Sequence, residues 1–400
     1  MTVHMLLVTE YFAPHPGGTA VYYYELARRM PEVRWTVVAR QHPEAVRFDR
    51  RQPFRVVRTP FLPIPKVRMV AEWIAHLLVA LWITVRDRVD VLHAGQLFPV
   101  GLAVYAVHRL TGVPYVTYVH GEELTTLGRT TVAGWAIRKV LARAGAVFVN
   151  SRFTWGQVRG FGVPETRIRL VRPGVDLVRF RPTDGARLRA RCGVRGEAVL
   201  LTVGRLIPRK GQDTVIRILP EVARHVPVVY WVAGEGTQAE QRRLERIAEE
   251  QGVRDRVRFL GAVQDSELPA LYSACDVFVM LNRRTPEGDV EGFGMVFLEA
   301  GACGKPVVGG ASGGAVEAVR HGVTGYLVPE GDGAAAVRAL VSLLRDPELR
   351  ERMGEAGRRF AARHAWERRA QRVQAVCAML HTRRATVTTA MGGRPAEWPR

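Results

Sequence analysis

Lysine is nearly missing from this sequence: of 58 basic residues only Lys66, Lys139, Lys210 and Lys305 are lysine, and the rest are arginine. Genomic codon bias alone produces such a preference, so a single arginine says little and each lysine says more. Cysteine is scarce as well. Cys192, Cys275, Cys303 and Cys377 lie scattered with no paired spacing, which argues against a zinc cluster and fits a reducing compartment. No tandem repeat or long low-complexity segment stands out. The most apolar stretch, Met69–Val85, is interrupted by Glu72 and His76 and falls short of a bilayer span, so a helix packed in a core is expected there. The chain opens on the strand-like run His4–Thr9 without a secretory leader, and a cytoplasmic protein is expected.

Acidic residues are the minority, 38 against 58, for a net charge of +20. The excess is uneven: residues 1–180 hold 24 Lys/Arg against 12 Asp/Glu. A basic N-terminal half suits anionic lipid, nucleic acid or a phosphorylated substrate. Hydrophobic content of 47% and charged content of 24% describe a globular chain, and 400 residues exceed one ordinary core, so two domains are expected.

Both halves alternate short β-branched runs with longer helical patterns, the mark of parallel sheets wrapped by helices. Met5–Thr9, Arg34–Ala39, Val89–His93, Tyr115–Val119 and Ala146–Asn150 read as strands of the first half. Ala198–Val203, Val228–Ala233, Val257–Leu260, Val277–Leu281 and Val307–Val308 read as strands of the second. The Pro-, Gly- and charge-rich stretch Arg172–Thr183 reads as the linker. The resulting division is 1–180, 181–363, a helical segment over 364–385, and a tail over 386–400 that loses periodicity and is expected to be disordered.

The most informative stretch is Glu291-Gly-Phe-Gly-Met-Val-Phe-Leu-Glu299. One continuous helix would separate the two carboxylates by roughly 12 Å of rise and about 80° of turn. Gly292 and Gly294 instead suggest a loop before a short helix that starts near Met295 and stops at Gly304. The amides of Phe293, Gly294 and Met295 would then be open to hydroxyls or anionic oxygens. By itself the stretch reads equally well as a surface Glu, a turn and a buried helix.

Other candidates fall at strand ends, where parallel sheets bind ligands. Gly204-Arg205 and Lys210-Gly211 put two cations on one loop, a pairing that suits a diphosphate leaving group. His120 ends a strand and can bond a sugar hydroxyl or serve as a structural histidine. Gly17-Gly18 before a helix suits an anion, or is an ordinary tight turn.

Together, Gly204-Arg-Leu-Ile-Pro-Arg-Lys-Gly, Glu-x7-Glu, Ala300-Gly-Ala-Cys-Gly-Lys-Pro-Val-Val, Ser312-Gly-Gly and Gly322-Val-Thr-Gly-Tyr-Leu-Val resemble the family-4 retaining glycosyltransferases over roughly residues 3–380. The resemblance implies the GT-B fold, α/β with two Rossmann-like domains facing across a cleft, and a nucleotide-sugar donor held mainly by the second. It implies that the C-terminal helical segment crosses back to the first domain near Ala365-Trp366-Glu367. By the same likeness Arg205 and Lys210 hold the diphosphate, and Glu299 bonds the ribose. Glu291, Phe293, Gly294 and Met295 meet the transferred sugar, and Val263 lies by the base. Gly17 and Gly18 approach the phosphate, and His120 lies at the sugar's reacting face. No metal and no cofactor beyond the co-substrate are implied.

Within the family the set is most similar to phosphatidylinositol mannosyltransferases and related enzymes using GDP-mannose. Relatives using UDP-sugars on soluble sugars, sugar phosphates, thiols or polyols share most of these motifs and form the alternative. A glycoside hydrolase would need no cationic cradle. A lipid- or nucleic-acid-binding protein would leave Glu291, His120 and the Gly-rich loops unexplained, and no specific nucleic acid is expected. A lipid acceptor would be met at the inner membrane face as a peripheral protein. The basic residues Arg47, Arg50, Arg51, Arg55 and Arg58 beside Phe54, Phe61 and Leu62 are the expected contact.

Overall fold

The apolar runs assemble into two parallel sheets, each buried on both faces, in a computed structural model that describes residues 2–60, 65–125 and 131–390. The first sheet is formed by β1 (His4–Thr9), β2 (Arg34–Arg40), β3 (Arg55–Thr59), β4 (Val91–Ala94), β5 (Tyr115–Val119), β6 (Ala146–Val149) and β7 (Ile168–Leu170). The second contains β8 (Ala198–Val203), β9 (Val228–Ala233), β10 (Val257–Gly261), β11 (Val277–Met280), β12 (Val307–Gly310) and β13 (Gly325–Val328). Their strand orders are β3-β2-β1-β4-β5-β6-β7 and β10-β9-β8-β11-β12-β13. The chain divides into two compact units, one running to Arg172 and resuming at Trp366, the other comprising Pro173–Ala365.

Alternate residues explain why such strands read as continuous apolar runs. In β8, Leu200 faces Val215, Ile216 and Leu219 of the helix Gln212–His225. Its neighbours Val199 and Leu201 face the opposite core with Trp231, Phe278 and Phe297. A fully buried side chain of this size contributes about 1.5–3 kcal/mol.

Three strands were not expected from the sequence: β3, β7 and β13. Each lies at a sheet edge and is short or interrupted by polar residues, as edges commonly are. The final helix, Trp366–Ala390, runs on through Thr386, so the weakened periodicity there does not end it; residues 391–400 lie outside the described residues. This helix seats Trp366 against Tyr22 of the first unit (ring centroids 5.4 Å), and Arg29 Nε donates to Glu367 Oε1 at 2.8 Å.

The helix Pro65–Arg86 departs from the expected core helix. Glu72 and His76, the polar interruptions, face inward and are 5% and 1% exposed, with Arg40 lying 3.7 Å from Glu72. Val70, Ile74, Leu78, Trp82 and Val85 form a stripe on the outside at 43–59% exposure. No described helix is long and apolar enough to cross a membrane.

Candidate functional site

In the second unit the strand order reverses at β8, which pairs with β9 on one side and β11 on the other. Ligands of such sheets bind beyond the carboxyl ends at this reversal. The chain leaves β8 through Gly204 and Arg205, makes a tight turn over Pro208–Lys210, and enters the helix Gln212–His225. Gly211 joins turn to helix with φ 72°, and a Cβ there would lie 2.0 Å from the Leu281 carbonyl oxygen, so the junction requires glycine.

The loop after β11 brings Asp289 and Glu291 to this turn. Lys210 Nζ donates to Glu291 Oε2 at 2.7 Å, and Arg209 Nη1 donates to Asp289 Oδ2 at 2.9 Å. Arg209 Nε lies 3.8 Å from Glu291 Oε2. Burial pushes Glu291 up, but Lys210, then Arg209, a bond from Lys210 and the Phe293 amide outweigh it, and its pKa is held at about 2. Burial draws Lys210 below its ordinary range, with Glu291 opposing. Glu291 is therefore an anion at neutral pH, with Lys210 as its ion-pair partner. An ammonium has three donors, so the bond to Glu291 leaves two for a ligand.

Lys210 and Glu291, expected as separate contacts to a diphosphate and a sugar, are coupled to each other. The structure also adds Arg209 and Asp289: one arginine in so arginine-rich a chain carries little signal, and nothing local marks Asp289 as its partner. Arg205 is exposed, and its carbonyl accepts from Gln212 Nε2 at 3.0 Å.

The Ser312-Gly-Gly motif is a brace for Glu291. The Gly314 amide donates to the Glu291 carbonyl at 2.8 Å, and a Cβ on Gly313 would stand 2.4 Å from that same oxygen. Gly294, at φ 84°, opens the helix Met295–Ala302, whose N-terminus has no side-chain cap. The amides of Gly294 and Met295 thus lie at an uncapped helix mouth, whereas that of Phe293 serves Glu291.

Glu299 sits one turn into the helix. Tyr272 Oη donates to its Oε2 at 2.6 Å, a partner the sequence did not reveal, and burial raises its pKa. The second carboxylate oxygen is left for a ligand. Val263, just after β10, is half-buried against the adjoining core.

The first unit repeats the arrangement, with its reversal where β1 pairs with both β2 and β4. Gly17 (φ 125°) and Gly18 are exposed at the start of the helix Gly18–Arg28. His120 directly follows β5 and is gripped by its neighbours. Its amide donates to Glu123 Oε2 at 3.1 Å, its carbonyl accepts from Asn150 Nδ2 at 2.9 Å, and Nε2 lies 2.7 Å from Tyr23 Oη. Burial lowers the His120 pKa to about 4, so the ring is neutral at pH 7, and burial raises that of Glu123 to about 7.

Two family models match, "Glycosyltransferase Family 4" over residues 16–179 and "Glycosyl transferases group 1" over residues 189–360. The chain is 36% identical over 373 residues to a GDP-mannose-dependent alpha-(1-6)-phosphatidylinositol monomannoside mannosyltransferase of Mycolicibacterium smegmatis, spanning 89% of this chain and 93% of that enzyme. It is 36% identical over 246 residues to a D-inositol 3-phosphate glycosyltransferase of Salinispora arenicola, covering 58% of this chain and 54% of that one. In structure it is similar to Anabaena HepE, solved with UDP and glucose, at a TM-score of 0.80 and 22% identity over 94% of this chain and all (100%) of that one.

Proposed function

The chain belongs to glycosyltransferase family 4, and on that footing we propose that it moves mannose from GDP-mannose, with retention, to a hydroxyl of a phosphatidylinositol-type lipid. The reaction class rests on one observation: the buried Lys210–Glu291 pair, flanked by Arg209 and Asp289, at the strand-order reversal of the second sheet. When the sugar–phosphate bond breaks, negative charge grows on the departing diphosphate. Arg205 and the two remaining donors of Lys210 meet it, while the amides of Gly294 and Met295 meet the transferred sugar. Glu291 stays ionised, holds Lys210 in place, and accepts from hydroxyls of the sugar. Glu299 offers its second oxygen to the ribose, Val263 borders the base, and Gly17 and Gly18 supply amides to phosphate. The acceptor's proton passes to the departing phosphate on the same face of the sugar.

The choice of GDP-mannose and of a lipid acceptor follows the likeness to the mycobacterial enzyme across almost its whole length. A lipid acceptor requires work at a bilayer surface, and the exposed stripe on the helix Pro65–Arg86 supports this. Five large apolar side chains face outward in addition to the apolar face that packs on the core with Ala80 and Ile83, which is not ordinary solvent-facing patterning. Arg86 and Arg55 lie 4.6 and 5.9 Å from the Trp82 ring, the basic–aromatic pairing of an interfacial helix. Trp135 on the helix Thr131–Arg143 is 55% exposed and carries Lys139 at 5.9 Å. The contact expected around Arg58 is weaker, because Arg58 is tied to Asp49 at 2.7 Å and Phe54 packs on Phe12; Phe61 and Leu62 lie outside the described residues.

Thermal stabilisation tests the donor. A ligand raises stability by RT ln(1 + [L]/Kd), so GDP should raise Tm at concentrations where UDP does not. Stabilisation by UDP alone would replace GDP-mannose with a UDP-sugar.

A further inference from the structure

Tyr23 lies on the helix Gly18–Arg28, directly after the Gly17–Gly18 turn, and is 1% exposed. Its hydroxyl reaches the carboxyl ends of two strands at once. It donates to the carbonyl of Gly95, just past β4, and lies 2.7 Å from Nε2 of His120, just past β5. The proton inventory of these three groups favours one arrangement. A carbonyl oxygen brings no hydrogen, so the single hydroxyl proton of Tyr23 is committed to Gly95. The contact between Tyr23 Oη and His120 Nε2 must then be made by a proton on the imidazole. Burial holds the Tyr23 hydroxyl far above its ordinary pKa, so no phenolate offers a second arrangement. A neutral imidazole has one N–H, and here it is on Nε2, which leaves Nδ1 with a lone pair. No described residue bonds Nδ1, although His120 is held at its amide, its carbonyl and Nε2 and bordered edge-on by Tyr22 at 5.4 Å.

We infer that Tyr23 is a positioning residue that fixes His120 as the Nε2–H tautomer and presents Nδ1 as an acceptor for a sugar hydroxyl. The tautomer follows from this unit's own geometry; the identity of the ligand rests on the glycosyltransferase reading. In the reaction His120 then accepts a hydrogen bond and passes no proton on, which assigns it to orienting the sugar.

The test uses the full chain labelled with 15N-histidine and free of substrate, with the His120 resonances identified by their disappearance in His120→Gln. The expected spectrum shows His120 with a protonated Nε2 and an unprotonated Nδ1. In Tyr23→Phe, which keeps the ring and removes only the hydroxyl, the preference should collapse to a mixture of tautomers. A wild-type His120 protonated at Nδ1 would overturn the inference, and so would an unchanged tautomer in Tyr23→Phe. Turnover supplies a second readout that does not depend on Tyr23→Phe folding. Asparagine places an oxygen near the position of Nδ1 and glutamine one near that of Nε2. His120→Asn should therefore retain about tenfold more kcat/KM than His120→Gln, the worth of one hydrogen bond. The opposite order would assign the ligand contact to Nε2. Failure of the donor assignment would leave the substrate-free spectrum untouched, so the two readings fail separately.

Discussion

Replacing Lys210 by methionine removes the charge and keeps most of the side chain's volume, and the structure sets the consequence. Glu291 is 8% exposed, and its acidity is held at about 2 chiefly by Lys210 against the opposing effect of burial. Breaking a buried pair from one side costs about 3–5 kcal/mol, because the surviving charge is left uncompensated. Arg209, 3.8 Å away and itself committed to Asp289, offsets part of that, so about 3 kcal/mol is expected at pH 7. The pH dependence carries the signature. In the native protein the Glu291 pKa is depressed, so its contribution is present above about pH 4.5 and is lost as pH falls toward 2. Without Lys210, burial raises the pKa instead, and stability should fall as pH rises from 4.5 to 7. Urea unfolding of Lys210→Met at those two pH values measures this, and Lys210→Met/Glu291→Gln should recover most of the loss without recovering turnover. A single variant as stable as the native chain at pH 7, with no added pH slope, would refute the ion-pair account of this site.

Arg205→Ala should lower kcat by orders of magnitude in donor-hydrolysis assays while leaving Tm unchanged, since its exposed side chain serves only the leaving group. Glu299→Ala should mainly weaken calorimetric binding of the nucleoside diphosphate, whereas Glu291→Gln should mainly lower kcat; the reverse pattern would exchange their roles. Glu123, raised by burial to about 7, is protonated in the folded chain and ionised in the unfolded one between about pH 4.5 and 7. Stability should therefore decline across that window by up to about 3 kcal/mol, and Glu123→Gln should flatten the unfolding profile. Co-sedimentation with vesicles should rise with anionic lipid content and fall with salt. Leu78→Ser/Trp82→Ser should weaken it more than Arg50→Ser/Arg51→Ser, and equal effects would remove the helix Pro65–Arg86 as the contact.

The central strands of both sheets could be read from the sequence because burial on two faces demands unbroken apolar runs, as in Val228–Ala233. The edges could not: Arg55–Thr59 is interrupted by Arg55 and Arg58, and Ile168–Leu170 is three residues long. Glycine and scarce lysine marked the site, since Gly211, Gly294 and Gly313 hold backbones that no other residue accommodates. What escaped was partnership across long separations. Nothing local ties Lys210 to Glu291, Tyr272 to Glu299 or Tyr23 to His120, pairs that only the strand order brings together. The outward apolar stripe escaped for another reason: composition counts Val70, Leu78 and Trp82 as core, and only the fold shows which face Glu72 and His76 occupy.

Transfer itself is the most direct measurement. The protein is incubated with GDP-mannose labelled in the sugar and vesicles containing phosphatidylinositol monomannoside, and lipid-extractable label and the anomeric configuration of the new bond are recorded. The account predicts GDP release matched by label in the lipid, an α-linked product, and loss of both in Arg205→Ala. Turnover of a UDP-sugar onto a water-soluble acceptor, with GDP-mannose inert and no label entering lipid, would contradict it.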